Sequence, residues 1–488
     1  MRITLAALTV VALLTPMTHF SISSVRAQST ASLAPAAAQS VGGGASAAPT
    51  AWVDTYRADA DHLIAAATAD QFAWNRLAEL TDTFGPRLSG SKNLQMAIQW
   101  AAAKMREDGF DDVRIEPVKV PMWVRGKESL EVVEPGPRPL VMLGLGGSVG
   151  TPEAGIEGEP LIVDSFDTLE KQSAQARGRI VVFNVPFTSY GETVRYRTNG
   201  ASRAAQYGAV AMLVRAVGPT GLRTPHTGML TYADNQPKIP AAAISAEDAA
   251  MLQRMAERGT RVRLRLKMEG RFESDADSAN VVGEIRGRER PDEVVVVGGH
   301  IDSWDIGTGA SDDGTGIIST WEAVRLIKKL NLKPRRTVRV VLWTNEENGV
   351  RGGAAYLARY RNDLPRHVMM LEADSGVFSP LSMGFSGGNV ARAKVQAIGT
   401  LLTKLGIDRI GPSGGGADIG PSVQAGGIPS MALGGDGTRY FTIHHTPADT
   451  VDRVDPAELS RASAAIAIVT FVVADMPERL EGEKQETH

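Results

Sequence analysis

Three times between Val294 and Asp374 a run of apolar, mostly β-branched or aliphatic residues ends in acid, and this repetition restricts the chain to few folds. Val294 to Val297 leads through Gly298 and Gly299 to His300 and Asp302; Thr337 to Leu342 leads to Glu346 and Glu347; His367 to Leu371 leads to Glu372 and Asp374. Buried strands of a parallel sheet read as continuous apolar runs because both faces are covered. Thr315 to Leu332, between the first two runs, has apolar residues at helical spacing. Asp312 and Asp313 stand ahead of its amino end, where the helix dipole favours negative charge. Strand, helix, strand, helix, strand predicts an α/β fold with a mixed, mostly parallel sheet flanked by helices. Such a sheet gathers these carboxylates along one edge, where ligands bind. One histidine among several carboxylates suits a hard or borderline divalent metal.

Histidine is scarce, eight residues in 488. The pair His444 and His445 therefore matters, since with His300, Asp312, Glu347 and Asp374 on successive elements it supplies the nitrogen that a second metal would lack. No covalent intermediate, and so no serine nucleophile, is needed where a metal activates the attacking water. Gly414, Gly415 and Gly416 lie in neither a P-loop nor a dinucleotide-binding pattern. A formal charge of -3 predicts neither a nucleic-acid nor a membrane partner. Cysteine is absent, so stability must come from packing, with bound metal as a further source.

The chain divides by texture. Residues 1–27 have a positive start, an apolar run from Ile3 to Leu14 and Val25-Arg26-Ala27 as a cleavage site, which predicts a signal peptide and export to the periplasm or exterior. The run is shorter than the roughly 20 residues that span a bilayer. Residues 28–50, rich in Ala, Ser, Gly and Pro, predict a flexible linker. Helical spacing over Ala51 to Leu80 and Asn93 to Gly109, then a strand over Asp112 to Val124, opens a first catalytic segment, 51–124. From 125 to 273 short strands alternate with short helices such as Ser202 to Tyr207, with His226 the one histidine, which predicts an inserted, non-catalytic β-rich domain. Residues 274–480 return to the α/β pattern, and 481–488 form a tail.

GGHIDSWDIGTGASDDGTG, WTNEENG, LEADSG and HHTPADT, in this order, resemble the motifs of the co-catalytic dizinc exopeptidases related to glutamate carboxypeptidase and bacterial leucyl aminopeptidase. TFGPRLSGSKN, the Trp-Asp of DSWDIG and the tail FVVADMPERL resemble the plasma glutamate carboxypeptidase branch, and the likeness runs from about Ala51 to Leu480. The resemblance implies a phosphorylase/hydrolase-like fold, an insertion similar to a protease-associated domain, a homodimer, two Zn2+ per chain and short peptides as substrates. It implies that His300 and Asp374 hold one zinc, Glu347 and His445 the other, and that Asp312 bridges both. Glu346 matches the family's general base and Asp302 the carboxylate that orients His300. The spacing His-Thr-x-x-Asp-Thr matches the ligand to His445 rather than His444. Asp418, Tyr440 and His444 are candidate substrate contacts; Asp313 and Asp449 read as helix caps or local hydrogen-bonding groups. Asn345 and Ser311 depart from the family patterns but flank the ligands. Carboxypeptidase or dipeptidase action is expected. An aminopeptidase, a single-zinc cyclase or transferase and a non-catalytic binding relative are the alternatives. No arginine cluster marks a preference for glutamate.

Overall fold

The computed structural model describes residues 50–407 and 410–481. The expected leader, nearly all of the linker and nearly all of the tail lie outside the described residues. The main sheet has eight strands: β1 (Asp112–Val120), β2 (Ala276–Ile285), β3 (Arg290–His300), β4 (Arg336–Trp343), β5 (His367–Ala373), β6 (Ser382–Ser386), β7 (Ile410–Gly411) and β8 (Ser430–Gly434). Their spatial order is β1-β2-β4-β3-β5-β8-β6-β7. The central four, β4-β3-β5-β8, are parallel, while β1, β2 and β6 join antiparallel. The apolar runs thus form the parallel centre, with every residue of β4 and β5 buried. Each fully buried valine or leucine contributes about 1.5–3 kcal/mol relative to exposure, and with no cysteine in the chain this packing replaces covalent cross-links.

Helices cover the sheet. Thr315–Lys329 packs beneath β3 and against the long helix Pro456–Asp475. That second helix starts where the sequence signals it, with Asp455 accepting from the Ala457 N–H at 2.7 Å and Pro456 at the first position. It is long and apolar enough to cross a membrane, but 89% of its most apolar window is buried in the protein, so it is a core helix.

Two helical expectations shift. The pattern over Ala51 to Leu80 breaks into Arg57–Thr68 and Phe72–Phe84, because the Asp70 carboxylate takes the Phe72 N–H at 3.0 Å and restarts the helix. The helix expected from Ser202 begins at Tyr190, capped by Ser189, whose hydroxyl accepts from the Glu192 N–H. Its buried face includes Thr193 and Arg197, so apolar periodicity does not reveal its first half.

Residues 123–272 build two further sheets. One is mixed and mostly parallel, in the order Met142–Gly144, Ala241–Ile244, Ala211–Arg215, Ile180–Phe183, Pro160–Val163; the other is antiparallel, in the order Arg138–Leu140, Glu128–Glu134, Arg263–Met268, Ile156–Gly158. Trp123–Val124 and Arg271–Phe272 pair where the chain leaves and returns. The Trp-Asp of DSWDIG holds this part in place. Trp304 is buried with Leu88 and Trp123, and both Asp305 oxygens accept from Arg125, at 2.8 and 2.6 Å.

Candidate metal centre

The expected ligands converge at the carboxyl edge of the parallel strands. His300 ends β3, Asp374 follows β5, and Glu346 and Glu347 follow β4. Asp312 lies in the Ala310–Gly314 turn ahead of the Thr315–Lys329 helix, and His444 and His445 follow the short helix Gly437–Ile443. Close approach at this edge requires glycine: a Cβ on Gly299 or Gly316 would collide with the Asp313 carboxylate. That carboxylate accepts the N–H of His300 at 2.9 Å and of Gly316 at 3.1 Å, as a local hydrogen-bonding group.

Asp312 stands between two clusters. Its Oδ1 is 3.3 Å from His300 Nε2, which is 3.6 Å from Asp374 Oδ1. Its Oδ2 is 3.1 Å from His445 Nε2, which is also 3.1 Å from Glu347 Oε2. His444 Nε2 lies 3.5 Å from the same Asp312 oxygen, and donor atoms of Asp312, His444 and His445 fall within 4.8 Å of one another, as do those of His300, Asp312 and Asp374. Glu347 and His444 therefore both stand near His445. Glu347 makes the closer approach, while His444 lies face to face with His445, ring centroids 3.6 Å apart.

Buried polar atoms are normally paired, yet His300 Nε2, Asp312 Oδ2 and Glu347 Oε1 have no hydrogen-bond partner among the described residues. His300 Nε2 and Asp312 Oδ2 belong to the donor clusters just described, and Glu347 has an oxygen to spare, so the residues fit a metal. Burial and the nearby Asp312 push the Glu347 carboxyl up to about 7. Burial, together with Asp374, Glu347 and Asp312, raises Glu346 well above the usual range. Burial alone would lower the pKa of His300 and His445, but their carboxylate neighbours outweigh it and both are raised. A divalent ion would supply further positive charge to this crowd of acids and favour their ionised forms.

Asp302 acts differently from the expectation. The acceptor at His300 Nδ1 is the Asp302 backbone carbonyl at 3.0 Å; its nearer carboxylate oxygen is 3.8 Å away. The carboxylate instead accepts from the Glu346 N–H at 3.1 Å and Ser89 Oγ at 3.2 Å, tying the Glu346 backbone to the His300 loop. Tyr440 and His444 lie beside the cluster, ring centroids 5.0 Å apart. Asp418 lies deeper, 1% exposed, with both oxygens unpartnered among the described residues and with Glu372 and Glu346 close by, so burial, first, and those acids raise its carboxyl.

Two functional residues were missed. Asp449 does not cap the following helix, a role taken by Asp455; it accepts the N–H groups of Ser311 at 2.7 Å and Asp312 at 3.1 Å and so holds the Ala310–Gly314 turn. Arg87, fully buried, donates to the carbonyls of Ile301, Gly85, Thr308 and Gly309 at 2.9, 3.0, 2.6 and 3.0 Å. Burial lowers its pKa to about 10, which leaves it charged at neutral pH. Its place in TFGPRLSGSKN was visible, but no spacing signals burial. Asn345, the departure before the acidic pair, has φ +67, a conformation asparagine tolerates well, and its side-chain oxygen accepts from the Arg351 N–H at 3.2 Å.

The sequence pattern of Peptidase family M28 matches residues 280–470. The chain is 45% identical to Carboxypeptidase Q of Homo sapiens over 412 residues, covering 84% of this chain and 87% of that protein. It is 23% identical to aminopeptidase YwaD of Bacillus subtilis, over 82% of this chain and 84% of that one. The crystal structure of a peptidase M28 precursor from Shewanella amazonensis superposes with a TM-score of 0.85 at 34% identity, covering 88% of this chain and 99% of that one. A zinc aminopeptidase from Bacillus subtilis shares the fold, with a TM-score of 0.64 at 20% identity over 83% of this chain and 96% of that one. Fold, donor cluster and these likenesses define a metallo-exopeptidase acting on peptides. More narrowly, the chain belongs to peptidase family M28.

Proposed function

We propose that the protein is an exported two-zinc exopeptidase that hydrolyses dipeptides or short peptides with a free carboxyl end. The observation that carries this reading is Asp312, whose two oxygens face different histidines at 3.3 and 3.1 Å. His300 and Asp374 would hold one zinc, Glu347 and His445 the other, with Asp312 common to both. Zinc, when bound, supplies Lewis acidity at the scissile carbonyl and acidifies the attacking water. Glu346 takes the proton from that water and returns it to the leaving amine, with its backbone held by Asp302. Tyr440 and His444 contact the peptide beside Asp312. Likeness at 45% to Carboxypeptidase Q supports reading the carboxyl end, while the aminopeptidase alternative draws on more distant relatives.

In the same reading residues 51–124 and 274–480 form the peptidase domain, 125–273 an inserted protease-associated domain and 1–27 a cleaved leader; the enzyme is a homodimer. The test is metal-to-protein stoichiometry on the mature chain with a panel of free and blocked dipeptides, and sedimentation for the dimer. Two zinc ions and cleavage that requires a free carboxyl end are expected. Cleavage that requires a free amine moves the reading to an aminopeptidase; no cleavage after added zinc moves it to a binding relative.

A further inference from the structure

The inserted part of the chain makes a paired contact with His445. The Thr227 N–H donates to the His445 carbonyl at 3.0 Å, and the Thr227 carbonyl lies 3.2 Å from His445 Nδ1. His445 has φ +59, a left-handed backbone that is uncommon outside glycine, and the Thr227 N–H bond helps to hold it there. A neutral imidazole that ligates through Nε2 must carry its proton on Nδ1, and the carbonyl opposite Nδ1 selects that tautomer. Arg197 Nη1 is 3.4 Å from Nδ1 and 3.3 Å from the Thr227 carbonyl. A guanidinium only donates, so Arg197 and a protonated Nδ1 share Thr227 as acceptor, and Arg197 anchors that carbonyl. The clamp is itself braced. Thr227 Oγ1 donates to the Gly144 carbonyl at 2.7 Å, and Gly146 and residues 228–230 exchange two backbone bonds of 3.0 Å. Trp304, edge-on to the His445 ring at 5.6 Å, rests on Gly146, where a Cβ would collide with its indole.

The two histidines are therefore held in different ways. His300 finds its Nδ1 acceptor two residues along its own loop, whereas His445 finds it 218 residues away, in the insertion. We propose that Thr227 and Arg197 are positioning residues for the His445 half of the centre, so that metal affinity at that half depends on how the insertion docks. The inference rests on the two-metal reading above.

The experiment measures stepwise zinc affinities by chelator competition, with folding followed by circular dichroism, in full-length wild type, Arg197→Met, Arg197→Lys and Gly146→Val. In Arg197→Met one affinity should fall by about 10-fold or more while the other stays at the wild-type value. Arg197→Lys should recover part of the loss, and Gly146→Val should weaken the same single half. Two wild-type affinities in folded Arg197→Met overturn the proposal. An equal fall of both overturns it too, because general loosening does not choose between the halves. Should Gly146→Val fail to fold, Arg197→Met decides. A wild-type chain that binds a single ion refutes the two-metal reading, and that result precedes any variant.

Discussion

Replacing Arg87 with methionine tests whether one buried cation holds the loop that carries both His300 and Asp312. The guanidinium makes four hydrogen bonds of 2.6 to 3.0 Å to carbonyl groups, three of them on residues 301–309. A net contribution of about 1 kcal/mol per bond gives about 4 kcal/mol. The loss also strips Asp449, Asp302 and Asp313 of a compensating charge, each of which stabilises the protonated guanidinium. Removing one side of a buried charge arrangement costs about 3–5 kcal/mol in other proteins, which agrees with the count of bonds. Methionine preserves most of the volume, so the effect is polar rather than a cavity. Lysine keeps the charge but concentrates its donors on one atom that cannot span four carbonyls, so about half the loss should remain in Arg87→Lys. Equilibrium urea unfolding gives the stability and elemental analysis the metal content; both should fall together. An Arg87→Met protein within about 1 kcal/mol of wild type, with full metal content, would refute this account of the loop.

Glu346→Gln should keep its metal and lose about 10^2–10^4-fold in turnover; near-normal turnover in a loaded sample removes Glu346 from the role of base. Asp312→Asn should lower metal content at both halves together, whereas loss of a single ion would mean that Asp312 does not bridge. His367, buried against Tyr356 at 2.8 Å and the Asp363 carbonyl at 3.0 Å, has its pKa lowered from 6.5 to about 4, first by burial. The unfolded chain then binds the proton first as pH falls, so this term is complete above pH 6.5 and is lost on descent to about pH 4. The loss is about 3 kcal/mol. Urea unfolding across that window should show a shallower slope in His367→Gln, and parallel slopes would remove His367 as the source.

Much of this protein is legible in its sequence. The strands at Val294, Thr337 and His367 are apolar throughout because both faces of a parallel sheet are buried, and a run of that kind is visible in one dimension. The helix at Pro456 announces itself through Asp455 and proline, since a cap acts over two or three residues. His300, Glu347 and Asp374 stand out because each ends or closely follows a strand, whereas Asp312 and His445 flank helices and are joined to them by motif. The early start of the Tyr190–Ala205 helix was harder to read, as it buries Thr193 and Arg197 where apolar residues are expected.

Roles that depend on which distant backbone atom a side chain meets were decided only by tertiary structure. Asp302 was placed at the centre, but that its carbonyl rather than its carboxylate meets His300 is a matter of loop geometry. Arg87 reaches carbonyls more than 200 residues away, Asp449 turns back 138 residues to the turn that carries Asp312, and Thr227 meets His445 across 218. Local periodicity and spacing record what a residue does to its neighbours in the chain. Hydrogen bonds between distant segments leave no such period, because folding alone brings their donors and acceptors within 3 Å or so.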